Sequence, residues 1–223
     1  MSFKKLFIAV STAMTLGYAA PSAAAPILDQ SFDAFRPNEF RGGSIISTQE
    51  IGQTFTSGIT GKLTRVDLQI RQISSDAPVA DLLFDIFPSS NGFVPTGPAI
   101  AAGSISRDII PTFIPVNGDF VSVDLSAFNI MVTAGESLAI LLRNPNPGGY
   151  SWIEAFGDGY AGGTSFIRQP PDPIFGFIPA IDQGFRTFVD PGAVVAQVPE
   201  PGTFALLGLG LLGVGIARRR LKN

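Results

Sequence analysis

Four aromatic residues, Tyr150, Trp152, Phe156 and Tyr160, fall within eleven positions of one another. An aromatic ring is a rigid apolar face on which a sugar ring can stack. Tyr150 and Trp152 are two apart and would share one face of a strand; with Tyr160 they are the candidate sugar-binding residues. The same cluster suits a core, with Trp152 inside and the tyrosines over its edge. Asp158 stands between Gly157 and Gly159. A carboxylate in such a loop is a candidate ligand for a structural Ca²⁺, a hard cation that takes oxygen donors. The D-x-D-x-D spacing is missing, however, and Gly-Asp-Gly is also an ordinary turn. Glycoside hydrolysis needs two carboxylates facing one another across a cleft. Glu136 and Glu154 are the acids hardest to assign to a solvated face, yet no spacing pairs them. With no His and no Cys in the chain, Ser/His/Asp and Cys/His catalysis, thiolate metal sites and disulfides are excluded. No catalytic constellation remains, and the expectation is a protein that is not an enzyme and needs no cofactor.

The elements that carry these residues read as strands. In residues 65–71 Val66, Leu68 and Ile70 alternate with polar neighbours, the period of a half-buried strand. Leu82, Phe84 and Ile86 repeat the pattern with Asp81 and Asp85 opposite, and Val121, Val123 and Leu125 do so with Ser122 and Asp124 opposite. Asp67, Asp85 and Asp124 therefore read as a solvated face. Residues 138–142 are apolar on both faces, which marks a central strand. Weaker strands are expected over 53–56, 99–105, 150–155, 164–168 and 185–189, giving eight or nine in all. Turn-forming residues at 91–92, 117–118, 134–135, 146–149 and 157–159 separate them. Residues 124–130 read as a turn after a strand. The apolar stretch 173–179, between Asp172 and Asp182, reads as a loop, either an exposed docking patch or, by preference, packed on the body. This pattern predicts an all-β fold, a β-sandwich of jelly-roll-like arrangement.

Charge is divided unevenly. Six of the fifteen basic residues lie at the ends, Lys4, Lys5, Arg218, Arg219, Arg220 and Lys222, so the interior holds nine basic against seventeen acidic residues. Nucleic acid would be repelled by so acidic a body, and no nucleic acid partner is expected.

The ends read as membrane-handling segments. Residues 1–24 form a signal peptide: Lys4 and Lys5, an apolar run over 6–20, then small residues. Cleavage between Ala25 and Pro26 would place a proline after the scissile bond, where it makes a poor protease substrate; the Ser22-x-Ala24 register avoids this and puts the cut after Ala24. The body spans 25–192 and a linker 193–197. Residues 198–223 hold Val198-Pro199-Glu200-Pro201, a 16-residue apolar run over 202–217 and a basic tail of Arg218, Arg219, Arg220 and Lys222. As a helix the run spans ~24 Å, short of a hydrocarbon core of ~30 Å. It is expected to be a transmembrane helix tethering the body to the inner membrane, with the basic tail as a cytoplasmic stop. Within it, Gly208-x-Gly210-x-x-Gly213 matches a dinucleotide-binding spacing, but only ten residues follow Gly213, so the βαβ unit that motif needs is missing.

Val198-Pro199-Glu200-Pro201, the Gly/Leu-rich run and the Arg cluster together resemble the PEP-CTERM sorting signal. The resemblance implies export in a Gram-negative, exopolysaccharide-making bacterium, with exosortase, a membrane transpeptidase-like enzyme, as processing partner and Pro199, Glu200 and Pro201 as its recognition element. In the body, residues 53–58 followed by 63–68, then 95–98, 160–163 and 185–189, resemble bacterial extracellular jelly-roll modules. That likeness implies a fold and no activity. The expectation is an exported protein, first membrane-tethered and then at the cell surface or in the extracellular matrix, whose body is a binding or structural module in exopolysaccharide. A carboxylate-only carbohydrate-active enzyme and a pure surface spacer are the alternatives.

Overall fold

The computed structural model describes residues 25–36, 41–90, 92–112, 119–157 and 159–194. The expected signal peptide and C-terminal helix lie outside them. Among the described residues no helix is long and apolar enough to cross a membrane. The chain is all-β there, with three short 3-10 turns, Arg107–Ile109, Ser126–Phe128 and Pro191–Val194. The strands run β1 Ile27–Phe32, β2 Gly42–Ile45, β3 Glu50–Thr56, β4 Gly61–Leu68, β5 Ile70–Gln72, β6 Leu82–Pro88, β7 Ala101–Ile105, β8 Val121–Asp124, β9 Ile130–Val132, β10 Ser137–Arg143, β11 Tyr150–Phe156, β12 Ser165–Arg168, β13 Phe175–Ile178, β14 Ile181–Gln183 and β15 Phe185–Asp190.

Three antiparallel sheets form. One has the order β1-β15-β4-β8, with β9 also on β4; the second is β13-β12-β3-β10-β6-β7; the third is β14-β11-β2, with β5 also on β11. The first and third meet at a fork. Gln69 and Gly184 end the β4–β15 ladder, Gln69 N donating to Gly184 O at 3.0 Å, and both then turn to β11, Ile153 N donating to Gln69 O and Gly184 N to Ile153 O, each at 2.8 Å. The two sheets so joined cover the six-stranded sheet, making a sandwich-like body over one main core.

Alternation decides what enters that core. On β10 Leu138, Ile140 and Leu142 point into it, while Ala139 and Leu141 point out and are covered by Phe166, with Phe87, Val94 and Phe175 around them. β10 lies between β3 and β6, so the strand expected to be apolar on both faces is central and covered on both. Leu82, Phe84 and Ile86 of β6 and Val121 and Val123 of β8 enter the core likewise. Within residues 124–130 the 3-10 turn Ser126–Phe128 follows β8 and leads into β9.

Two expectations are corrected. Asp67 and Asp85 do face away from the core, but each is only 6 % exposed. Arg143 Nε on the neighbouring strand donates to Asp85 Oδ2 at 2.6 Å. Arg65 Nε lies 3.1 Å from Asp67 Oδ1 without the alignment of a hydrogen bond, its guanidinium 3.6 Å over the Phe188 ring. A long arginine stem covers its partner carboxylate, which single-strand alternation does not report. Asp124 is exposed as expected. The middle of the stretch 173–179 is a strand rather than a loop, because β13, Phe175–Ile178, pairs with β12 at the sheet edge. Only part of it packs: Phe175 stands edge-on to Phe166 at 5.5 Å, while Ile174 is 72 % and Phe177 57 % exposed.

Candidate functional site

β11 carries Tyr150 and Trp152 on its inner face, and both are fully buried. The Trp152 indole donates to Gly184 O at 2.8 Å and the Tyr150 hydroxyl to Ala80 O at 2.5 Å. Tyr160, 8 % exposed, stands edge-on to Phe185 at 5.0 Å and donates to Gln30 Oε1 at 2.9 Å. The sugar-platform expectation for these three rings is corrected: they are core, with no face open to a sugar. Burial pushes the Tyr150 hydroxyl up to about 12 and raises that of Tyr160 as well. The fold thus favours the neutral phenols: their contribution is whole below pH 10 and is lost as pH climbs through the raised values. Beyond residues 1–24 these are the only tyrosines. Alkaline titration at 295 nm is expected to stay flat past pH 10 and then rise together with unfolding; an ordinary phenol curve in the folded protein would contradict this.

A polar seam joins the layers behind these rings. Asp182, fully buried, accepts from Gln53 Nε2 at 3.1 Å and Tyr160 N at 3.0 Å. Gln183 N donates to Gln53 Oε1 at 2.8 Å, and Gln183 Nε2 reaches Ser165 Oγ at 3.1 Å and Glu154 Oε2 at 3.4 Å. Burial pushes the Glu154 carboxyl above its usual range, opposed by Gln183, Arg41 and the Gly43 N–H. A raised acid favours folding below its unfolded value, near pH 4.5, and that contribution fades as pH rises through the folded value. Glu154→Gln is therefore expected to match the parent in melting temperature near pH 4 and to exceed it increasingly toward pH 7. A constant difference would contradict the buried carboxyl. Glu136 serves elsewhere: its Oε2 accepts from Thr133 N at 2.9 Å and closes the turn before β10. The two glutamates that sequence alone could not pair have separate structural partners.

An open groove in the body lies on strands to which the sequence assigned no binding role. β7 and β8 are edge strands of opposite sheets, and between them Phe84, Ser104, Ser106, Ile109, Ser122 and Phe128 help line a groove of about 260 Å³. Past Ile109 and Ser122 it continues into a second of about 390 Å³ toward Asp119 and Phe120. Phe84 braces Phe128 edge-on at 6.2 Å, leaving Phe128 38 % and Ile109 59 % exposed. Asp124 on the groove wall is held by Ser126 N at 2.8 Å, and this bond lowers its pKa, so it stays ionised there. The signal available in the sequence was a phenylalanine in an otherwise small, polar turn.

Asp158, the expected Ca²⁺ ligand, lies outside the described residues, as do Ala24, the sorting residues Val198, Pro199, Glu200 and Pro201, and the basic stop Arg218, Arg219, Arg220 and Lys222. Among the described residues no three potential ligands stand together to hold a metal ion. The family model described as the PEP-CTERM protein-sorting motif matches residues 197–220. No curated protein matches the chain.

Proposed function

We propose, from the premise that this chain carries a PEP-CTERM sorting motif, the signal exosortase recognises on exported envelope proteins, that its body is a non-catalytic binding or structural module delivered to the exopolysaccharide matrix. The motif match is the observation that carries the reading. Two prolines keep Glu200 from joining a helix or a central strand, which suits capture by a membrane enzyme, and the run 202–217 tethers the body to the inner membrane until the cut. The jelly-roll-like arrangement is part of the same reading, since β3, β4, β6, β8 and β10 alternate between opposing sheets. The engagement of most strand acids also supports a body without catalysis: Glu50 is held by Arg168 at 2.5 Å and Asp85 by Arg143. Pro199→Ala with Glu200→Ala is expected to leave the protein full-length in the membrane fraction; release at the normal rate would reduce the tail to a plain anchor.

The groove between β7 and β8 offers a matrix saccharide an exposed ring, three serine hydroxyls and the Asp124 carboxylate. Phe128→Ala is expected to weaken binding of the processed protein to the host's own exopolysaccharide about tenfold or more, the worth of one well-covered Phe side chain, with the melting temperature little changed. Unaltered binding would remove the groove from the reading, and absence of any binding by the parent would favour a pure spacer. Glu154, whose carboxyl pKa burial raises, is the residue on which the one enzymatic alternative would rest. Polysaccharide cleavage that vanishes in Glu154→Gln would establish it.

A further inference from the structure

Both ends of the body leave the sandwich at one pole. Ile27 at the start of β1 pairs with Val189 near the end of β15, and the chain continues through the turn Pro191–Val194. The loops 57–60 and 133–136 share that pole. They are tied together by Ser57 N donating to Glu136 O at 2.8 Å and Gly135 N to Ser57 O at 2.7 Å, with Ala134 N donating to Thr60 Oγ1 at 3.0 Å. β1 joins them through Gly58 N, which donates to Asp29 Oδ1 at 2.8 Å. The opposite pole carries loops 73–80 and 144–149, joined by Gly149 N to Asp76 O at 2.8 Å and Val79 N to Pro147 O at 3.3 Å. β10 runs from one pole to the other, and its seven residues span about 24 Å at ~3.4 Å each.

Between the turn that ends at Val194 and the apolar run that begins at residue 202 stand residues 195–201 alone. Seven residues reach about 25 Å only when fully extended, so the far pole could touch the bilayer only with the linker drawn taut along the whole flank. The body as a whole holds nine basic and seventeen acidic residues, so anionic headgroups repel it, and standing upright brings the least of its surface close to them. Resting on the sorting reading above, we propose that the tethered sandwich stands end-on at the bilayer. Its pole of loops 57–60 and 133–136 meets the lipid headgroups, and the pole of loops 73–80 and 144–149 points outward. Exosortase then reaches its motif in the narrow gap beneath the first pole.

The chain has no Cys, so one introduced thiol is a unique label. Ala134 and Ser75 are exposed residues of the two poles. Ala134→Cys and Ser75→Cys would be made separately in the full chain carrying Pro199→Ala and Glu200→Ala, which keeps the tether. Each is labelled with a fluorophore and reconstituted in phosphatidylethanolamine/phosphatidylglycerol vesicles containing a nitroxide-headgroup lipid. Quenching several-fold stronger at position 134 than at 75 is the expected result. Equal quenching, as for a body lying on its flank, or stronger quenching at 75 overturns the orientation and leaves the sorting reading intact. Quenching at neither position overturns both, since the body is then not held at a membrane.

Discussion

Trp152→Ala is expected to remove about 3–5 kcal/mol of the body's stability, the usual cost of a large aromatic deleted from a packed core. Trp152 is fully buried among the inner-face residues of both layers and lies at the fork where β11 meets Gln69 and Gly184. Truncation leaves a cavity there that the neighbouring strands cannot close without breaking their ladders. The polar side of the loss is small, because Gly184 O keeps Gln69 N as a donor at 3.0 Å. Trp152→Phe should therefore recover much of the stability, as it refills most of the volume. Against a total of about 5–15 kcal/mol for an ordinary domain, the alanine variant should accumulate poorly on export. Chemical denaturation followed by far-UV circular dichroism is the measurement, since the chain's single Trp leaves with the mutation. A loss under about 1 kcal/mol would place Trp152 outside the tightly packed core.

Gly163→Ala is expected to be nearly as damaging although it adds one carbon. A Cβ at that position would lie 2.0 Å from Thr54 O and 2.5 Å from Thr54 C, and those are backbone atoms of β3 that cannot swing aside. Either β3 or the 159–164 segment must move. The move strains Thr54 N to Thr164 O at 2.9 Å and Thr164 N to Thr54 Oγ1 at 2.8 Å. Overpacking of this kind costs about 1–3 kcal/mol, and each strained hydrogen bond adds about 1 kcal/mol. Equilibrium unfolding monitored by Trp152 fluorescence reads the change directly. A variant as stable as the parent would mean that the loop slides freely over β3.

The parts of this fold that could be read in advance are those with a strong local period. Residues 65–71, 82–86 and 121–125 announce strands because one face of each is water and the other core. Residues 138–142 announce a central strand because both faces are covered. β2, with its Gly42-Gly43-Ser44-Ile45 sequence, has no period of its own and exists because β11 pairs with it. β14 is similar: the pairing partner that makes it a strand stands on β11, distant in sequence, while β13 folds back on its neighbour β12 across a proline-rich link that reads as a loop. The candidate site suffered from the same blindness. Period-2 spacing put Tyr150 and Trp152 on one face correctly, but which face of β11 meets the opposing sheet is a property of the assembled layers. Asp85 looked solvated because its partner Arg143 is 58 residues away. The sorting tail was legible for the opposite reason: its chemistry lies in a short contiguous stretch that needs no fold around it.

The position of β15 also sets how the body answers a mechanical pull. It lies between β1 and β4, paired with both over most of its length, and the tail continues from its end. When the tail is held at the membrane and the body is dragged outward, force enters along the axis of β15. The bonds of both ladders lie across that axis, so they must stretch together, in shear, instead of parting one after another as in a peeled hairpin. The strand nearest the cut is thus also the one best placed to resist being torn out before the cut is made.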